Sequence, residues 1–152
     1  MIMKPEIIEF SIAGEQGFIK ITIREVFGFP DETSYLGGYD CNCFIEIKSK
    51  GYNASGNFWC STGILYDFYT ELSIFYKKLE GTLEFKSPEY QLEFSLSFDN
   101  YGHFVIKGNY DEQGLGENSL IFSIESDQSY LVSTINSLRK IVSKYGTNYG
   151  IK

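Results

Sequence analysis

An α+β fold is what this sequence predicts: about eight mainly antiparallel strands in a strongly bent sheet or a sandwich, with two helices covering apolar faces. Three observations carry that prediction. Aromatic residues make up 17% of the chain, from 12 Tyr, 13 Phe and 1 Trp, and such side chains favour pleated, half-buried surfaces. Eight short runs of strand character lie between turn signals, the clearest of them alternating apolar and polar residues. Two longer runs space their apolar residues three and four apart, the period of a helix with one buried stripe.

Taken in order, residues 6–13 (EIIEFSIA) end at Gly14, and residues 18–27 (FIKITIREVF) set Phe18, Lys20, Thr22 and Arg24 against Ile19, Ile21 and Ile23. The GEQG between them has the length of a hairpin turn. Residues 43–50 (CFIEIKSK) and 52–60 (YNASGNFWC) flank Gly51 as a second hairpin. The first helix is expected over residues 62–81, where Leu65, Phe68, Leu72, Phe75 and Leu79 form one stripe and Ser61 or Thr62 supplies the cap. Four strands follow, over residues 81–87, 90–99, 102–110 and 119–126. In the second of these Leu92, Phe94, Leu96 and Phe98 alternate with Glu93, Ser95 and Ser97, so one face is core and the other wet. The last helix, residues 127–146, has Asp127 as its N-cap and a stripe of Leu131, Ile135, Leu138 and Val142. Arg139, Lys140 and Lys144 lie near its C-terminal end and Gly146 just beyond.

The 152 residues have the length of one domain, residues 1–152, long enough for a core without staples. No run of 18 apolar residues occurs, and the opening MIMKPEIIEF has a proline and two glutamates where a signal peptide needs its apolar stretch. The expected location is the cytoplasm. Cys41, Cys43 and Cys60 are an odd number without a paired framework, as reduced thiols would be. The net charge of −7 is uneven: residues 1–126 carry 9 basic and 19 acidic groups, a balance of −10, and residues 127–152 carry 4 and 1, a balance of +3. That disfavours direct binding to nucleic acid or to an anionic membrane and favours a basic partner, although a merely soluble acidic surface accounts for the same charge.

Catalytic and metal chemistry find little support. Cys41, Cys43, Cys60 and the lone His103 number four potential zinc ligands, but a C-x-C pair entering a strand points two small side chains into a core rather than around a knuckle. One histidine builds no triad without a converging nucleophile and orienting group, and neither a G-x-S-x-G elbow nor an H-E-x-x-H helix occurs. Carboxylate pairs drawn from Asp40, Glu46, Glu93 and Asp99 are what 20 acidic residues offer by chance. The G-x-G of residues 112–118 lacks a third glycine and a following helix, and reads as a loop between strands. No cofactor and no metal are expected.

Three stretches in order carry a resemblance: FPDETSYLGGYDCNCFIEIKS, STGILYDFYTELSIFYKKLEGTLEFKS, and FDNYGHFVIKGNY leading to NSLIFSIESDQSYLVSTINSLRKI. From about Phe29 to Tyr145 the chain resembles the WapI-type immunity proteins, through the LGGYD loop, the STG helix with its YDFY, the GH and later glycine, and DQSYL. CNCF and the first 28 residues fit no part of that pattern. The resemblance implies a non-enzymatic cytoplasmic inhibitor that binds the C-terminal domain of a cognate contact-dependent or wall-associated toxin and covers its active cleft. Related toxins are often nucleases with basic clefts, which suits the acidic first 126 residues.

On this reading Gly37 and Gly38 form a turn, Cys41 and Cys43 run into the core, and Asp31, Glu32, Tyr35, Tyr39 and Asp40 are left to face outward as candidate partner-binding residues. Tyr39 and Asp40 have a scaffold role as their rival, pinning the loop by hydrogen bonds. Asp111, Glu112 and Glu117, outside the shared motifs, are the candidates for specificity. A small-molecule or carbohydrate-binding β domain with tyrosines along a groove stays open as the alternative, and an active enzyme as a third.

Overall fold

The computed structural model describes residues 6–99 and 101–151. Strands β1 (Ile8–Gly14), β2 (Gly17–Val26), β3 (Asp40–Ser49) and β4 (Tyr52–Ser61) form one antiparallel sheet in sequence order. Helix α1 (Thr62–Lys78) leads to a second antiparallel sheet of β5 (Thr82–Lys86), β6 (Leu92–Phe98), β7 (His103–Tyr110) and β8 (Leu120–Asp127). A 3₁₀ turn (Gln128–Tyr130) then enters α2 (Leu131–Tyr145). The α+β expectation of eight strands and two helices holds, and the choice between one bent sheet and two falls to two.

Strict alternation builds the core. Ile19, Ile21 and Ile23 of β2 face inward with Cys41, Cys43, Ile45 and Ile47 of β3, and Leu92, Phe94 and Leu96 of β6 do the same in the second sheet. The tight hairpins hold Gln16 and Lys50 at φ of 62° and 56°, the left-handed geometry that such turns require. Phe68 of α1 joins the two sheets: its ring centroid lies 6.2 Å from Phe10 of the first, and 5.4 and 5.7 Å from Phe85 and Phe94 of the second. Further along α1, Phe75 stacks on Phe98 at 4.3 Å.

Where the sheets meet directly, polar groups tie them. The Glu15 N–H donates to the Glu125 carbonyl (2.7 Å) and the Ser49 hydroxyl to the Ser123 carbonyl (2.9 Å). The outer edge of β1 is covered by side chains: the Ser126 hydroxyl donates to the Ala13 carbonyl (2.6 Å), and Thr134 of α2 donates to that of Ser11. An edge so occupied offers less to a stray strand.

Most element boundaries shift by one to three residues from expectation, and these shifts bear on the packing. β3 starts at Asp40 rather than Cys43, because Asp40 and Cys41 already pair with Ser61 and Cys60. β2 ends at Val26, one residue before Phe27. α1 ends at Lys78, and Leu79, expected on its stripe, is the left-handed cap at φ 55°. In α2 the buried place goes to Ile141 while Val142 is half-buried, and Asp127 caps the 3₁₀ turn through the Ser129 N–H (2.8 Å) instead of the α-helix.

Candidate partner-binding surface

The LGGYD loop and the start of α1 form one joint. The Gly63 N–H donates to the Gly37 carbonyl (3.1 Å), the Tyr39 N–H to the Thr62 hydroxyl (2.8 Å), and the Thr62 N–H to the Tyr39 carbonyl (2.8 Å). Two N–H groups that the helix itself leaves unpaired are thereby satisfied, and the Ser61 hydroxyl accepts a third from Ile64 (3.2 Å). Gly38 takes φ 65°, and a Cβ there would collide with the Thr62 hydroxyl and the Gly63 nitrogen. From the C-terminal side Asn148 completes the joint: its carbonyl accepts from the Gly38 N–H (2.6 Å), and its Nδ2 donates to Asp67 Oδ1 (3.0 Å).

Tyr39 therefore does not face outward. It is fully buried, with its hydroxyl donating to the Pro30 carbonyl (2.8 Å) and its ring 5.2 Å from that of Phe29. Asp40 is half-buried as the first residue of β3, and its Oδ1 is enclosed without a partner among the described residues. What the joint leaves in solvent is the turn before it. The Ser34 N–H donates to the Gly38 carbonyl (2.6 Å), the Gly37 N–H to that of Ser34 (3.0 Å), and the Leu36 N–H to the Ser34 hydroxyl (3.0 Å). Tyr35 stands at its tip, 95% exposed, and Asp31 and Glu32 are exposed beside it in the chain. A depression of about 590 Å³ runs from Tyr35 past Asp67 to Tyr149, which is 79% exposed.

The second candidate group sits on the other sheet and is largely committed to internal bonds. Asp111 is buried, its two oxygens accepting from the N–H groups of Gly114 (2.9 Å) and Gly116 (2.6 Å) in its own loop. The exposed Glu112 accepts from the Asn57 N–H (2.7 Å), Gln91 accepts from the Trp59 N–H (2.8 Å), and the Tyr110 hydroxyl donates to the Asn57 carbonyl (2.7 Å). These three side chains close the outer edge of β4. Burial, with the Glu112 charge behind it, pushes the Tyr110 hydroxyl well above its ordinary pKa. Glu117 alone of this group is exposed with no bond to another described residue.

Residues 9–146 match the family described as the immunity protein WapI-like family. The chain belongs to that family. The match begins inside β1, so it takes in most of the N-terminal hairpin that carries no part of the recognised motifs. No curated protein matches the chain. In this immunity-family protein, LGGYD and STG, 25 positions apart in the sequence, are the two halves of the joint just described, a scaffold that presents the turn at Tyr35.

The residues weighed for chemistry are divided between the two sheets, with the three cysteines together in the first. Cys41, Cys43 and Cys60 are fully buried, with Cys41 Sγ 3.7 Å from Cys43 Sγ. The Cys41 thiol is pushed far up by its hydrogen bond with Cys43 and by burial, and Cys60 by its bond with Cys41 and by burial. Cys43 is raised by burial against the opposing hydrogen bond from Cys41. Thiols held protonated in this way are poor nucleophiles. His103 is exposed, its Nδ1 3.9 Å from Asp99 Oδ2. Glu46 pairs with Lys20 (3.6 Å) on the first sheet while Glu93 lies on β6 of the second. Among the described residues no group of three or more His, Cys, Asp or Glu side chains is arranged to hold a metal, and no helix is long and apolar enough to cross a membrane.

Asp67 and Tyr149 line the depression beside Tyr35, and neither they nor Glu71 are among the residues singled out from the sequence. Asp67 and Glu71 are four apart on the polar face of α1, and two carboxylates at that spacing are the signal that was available.

Proposed function

We propose that this chain neutralises a cognate contact-dependent or wall-associated bacterial toxin by binding its C-terminal domain and covering the active cleft, without catalysis of its own. The toxin domain is basic, with a nuclease as its class, and the encounter takes place in the cytoplasm of the producing cell. Membership of an immunity family supports the toxin-neutralising role. One observation carries the finer reading. Asp31, Glu32, Asp67 and Glu71 are all exposed, and among the described residues none is in an ion pair. Carboxylates left free on a preformed surface stand where the phosphates of a nuclease substrate would, and attract a basic cleft over a distance.

The test is to mix the purified protein with the C-terminal toxin fragment encoded immediately upstream of it and assay complex formation and nucleic-acid cleavage. A complex in which cleavage stops is the expected result. Full cleavage in the presence of excess protein overturns the reading. Two exposed tyrosines flanking a depression favour a second reading, a saccharide-binding groove. Tyrosine fluorescence that responds to oligosaccharides but not to the toxin fragment would select it.

A further inference from the structure

We infer that the toxin domain docks on the face formed by the 34–38 turn, the N-terminal half of α1 and the 147–150 turn, with Tyr35 and Tyr149 as anchors and a toxin arginine or lysine seated against Asp67. This rests on the toxin reading above and names the surface that performs it.

Large side chains left in water on a rigid support are the usual anchors of an interface. Tyr35 and Tyr149 meet that description at 95% and 79% exposure. Three short bonds fix the turn below Tyr35, and the turn at Tyr149 is closed by reciprocal bonds between Thr147 and Gly150, both 3.0 Å. Both turns are tied to the start of α1 through Gly37, Gly63 and Asn148, so little ordering remains to be done on binding.

Charge supplies the second argument. Asn148 holds one oxygen of Asp67 at 3.0 Å, and the other has no partner among the described residues. Glu71 follows one turn later on the same helix, its carboxyl held above the usual range by partial desolvation and then by the Asp67 charge. Like charges four apart weaken the free helix, and a cation between them removes that cost. Neither rival surface offers this. The loop at Asp111 and Glu112 has spent its carboxylates on internal bonds. The groove of about 890 Å³ between residues 6–9 and α2 sets Arg139, Lys140 and Lys144 against Glu6 and Glu9, each of these carboxylates already beside a lysine (Lys144 at 3.8 Å, Lys20 at 3.6 Å), so it offers a basic partner no net negative charge.

The experiment measures binding of the upstream-encoded toxin fragment to the unmodified protein and to Tyr35→Ala, Tyr149→Ala, Asp67→Lys and Glu117→Lys, with thermal melts confirming that each folds. The two alanine variants should each weaken binding about tenfold or more, mainly through faster dissociation. Asp67→Lys should weaken it further and Glu117→Lys by less than about twofold. If the unmodified protein binds and both alanine variants stay within twofold of it, the surface is wrong while the toxin reading stands. A loss at Glu117→Lys equal to that at Tyr35→Ala also overturns it. No binding by the unmodified protein sinks the toxin reading and this inference with it.

Discussion

Gly38 is under two separate constraints, a left-handed backbone and the absence of room for a Cβ against Thr62 and Gly63. Gly38→Ala should therefore cost about 1–3 kcal/mol through backbone strain alone, with the collision adding to it. Gly51→Ala is the control, since nothing lies within 4 Å of a Cβ built there. Urea melts of the two variants compare them directly, and equal midpoints would mean that the loop does not dock on α1. The glycine pair was legible as a turn because turn chemistry is local. The orientation of Tyr39 was not, because the atoms that draw it inward, the Thr62 hydroxyl and the Pro30 carbonyl, belong to segments whose approach only the fold creates. Glu71 makes a pH prediction at the same scale. Its folded-state pKa is raised, by partial desolvation against the helix first and by Asp67 second, so the ionised form costs stability at pH values above it, and that cost vanishes once the group is protonated in both states. Glu71→Gln should melt higher than the unmodified protein at pH 7, and the gain should disappear below about pH 4. A gain that is constant across that range would assign it to the side chain rather than to its charge.

Helix α1 shows how an element can be right in kind and wrong at its end. The spacing of Leu65, Phe68, Leu72 and Phe75 puts all four in the core, and a cap at Ser61 or Thr62 was equally visible, since both signals depend only on neighbours along the chain; the structure gives it to Ser61. Leu79 fits the same arithmetic, yet Glu80 and Gly81 follow it and the chain must turn into β5, which takes Leu79 out of helical geometry. Leu72 is fully buried in mid-stripe. Leu72→Ala should cost about 2–5 kcal/mol through lost burial and the cavity left behind. Denaturant melts measure it, and a change below about 0.5 kcal/mol would place the helix on the surface. Strand edges lay beyond the sequence for a related reason. That Gln91, Tyr110 and Glu112 close the edge of β4 depends on the second sheet lying beside the first. No local pattern in β4 or in the 111–118 loop announces it, so Glu112 looked like a free carboxylate.

Across the whole molecule the acidic balance was legible from composition, but its division into free and committed charge was not. Reversing Asp111, Glu112 and Glu117 together would test the fold rather than the encounter, because Asp111 holds its loop and Glu112 holds the β4 edge. Asp31 and Glu32 are the better pair: exposed, without ion pairs among the described residues, and close in the chain to Tyr35. Reversing both to lysine moves the net charge from −7 to −3, and reversing the exposed Glu80 and Glu89 makes the same change elsewhere. If the toxin approaches the Tyr35 face, the first reversal should slow association more than the second and flatten its dependence on salt, because steering follows the charge near the point of contact once distant charges are screened within about 10 Å. Stopped-flow association with the toxin fragment at low and high salt separates the cases. Equal slowing by both reversals would leave only the overall charge as the attractant. Unchanged rates for both would mean that the acidic surface takes no part in the encounter, and that the unpaired carboxylates serve solubility alone.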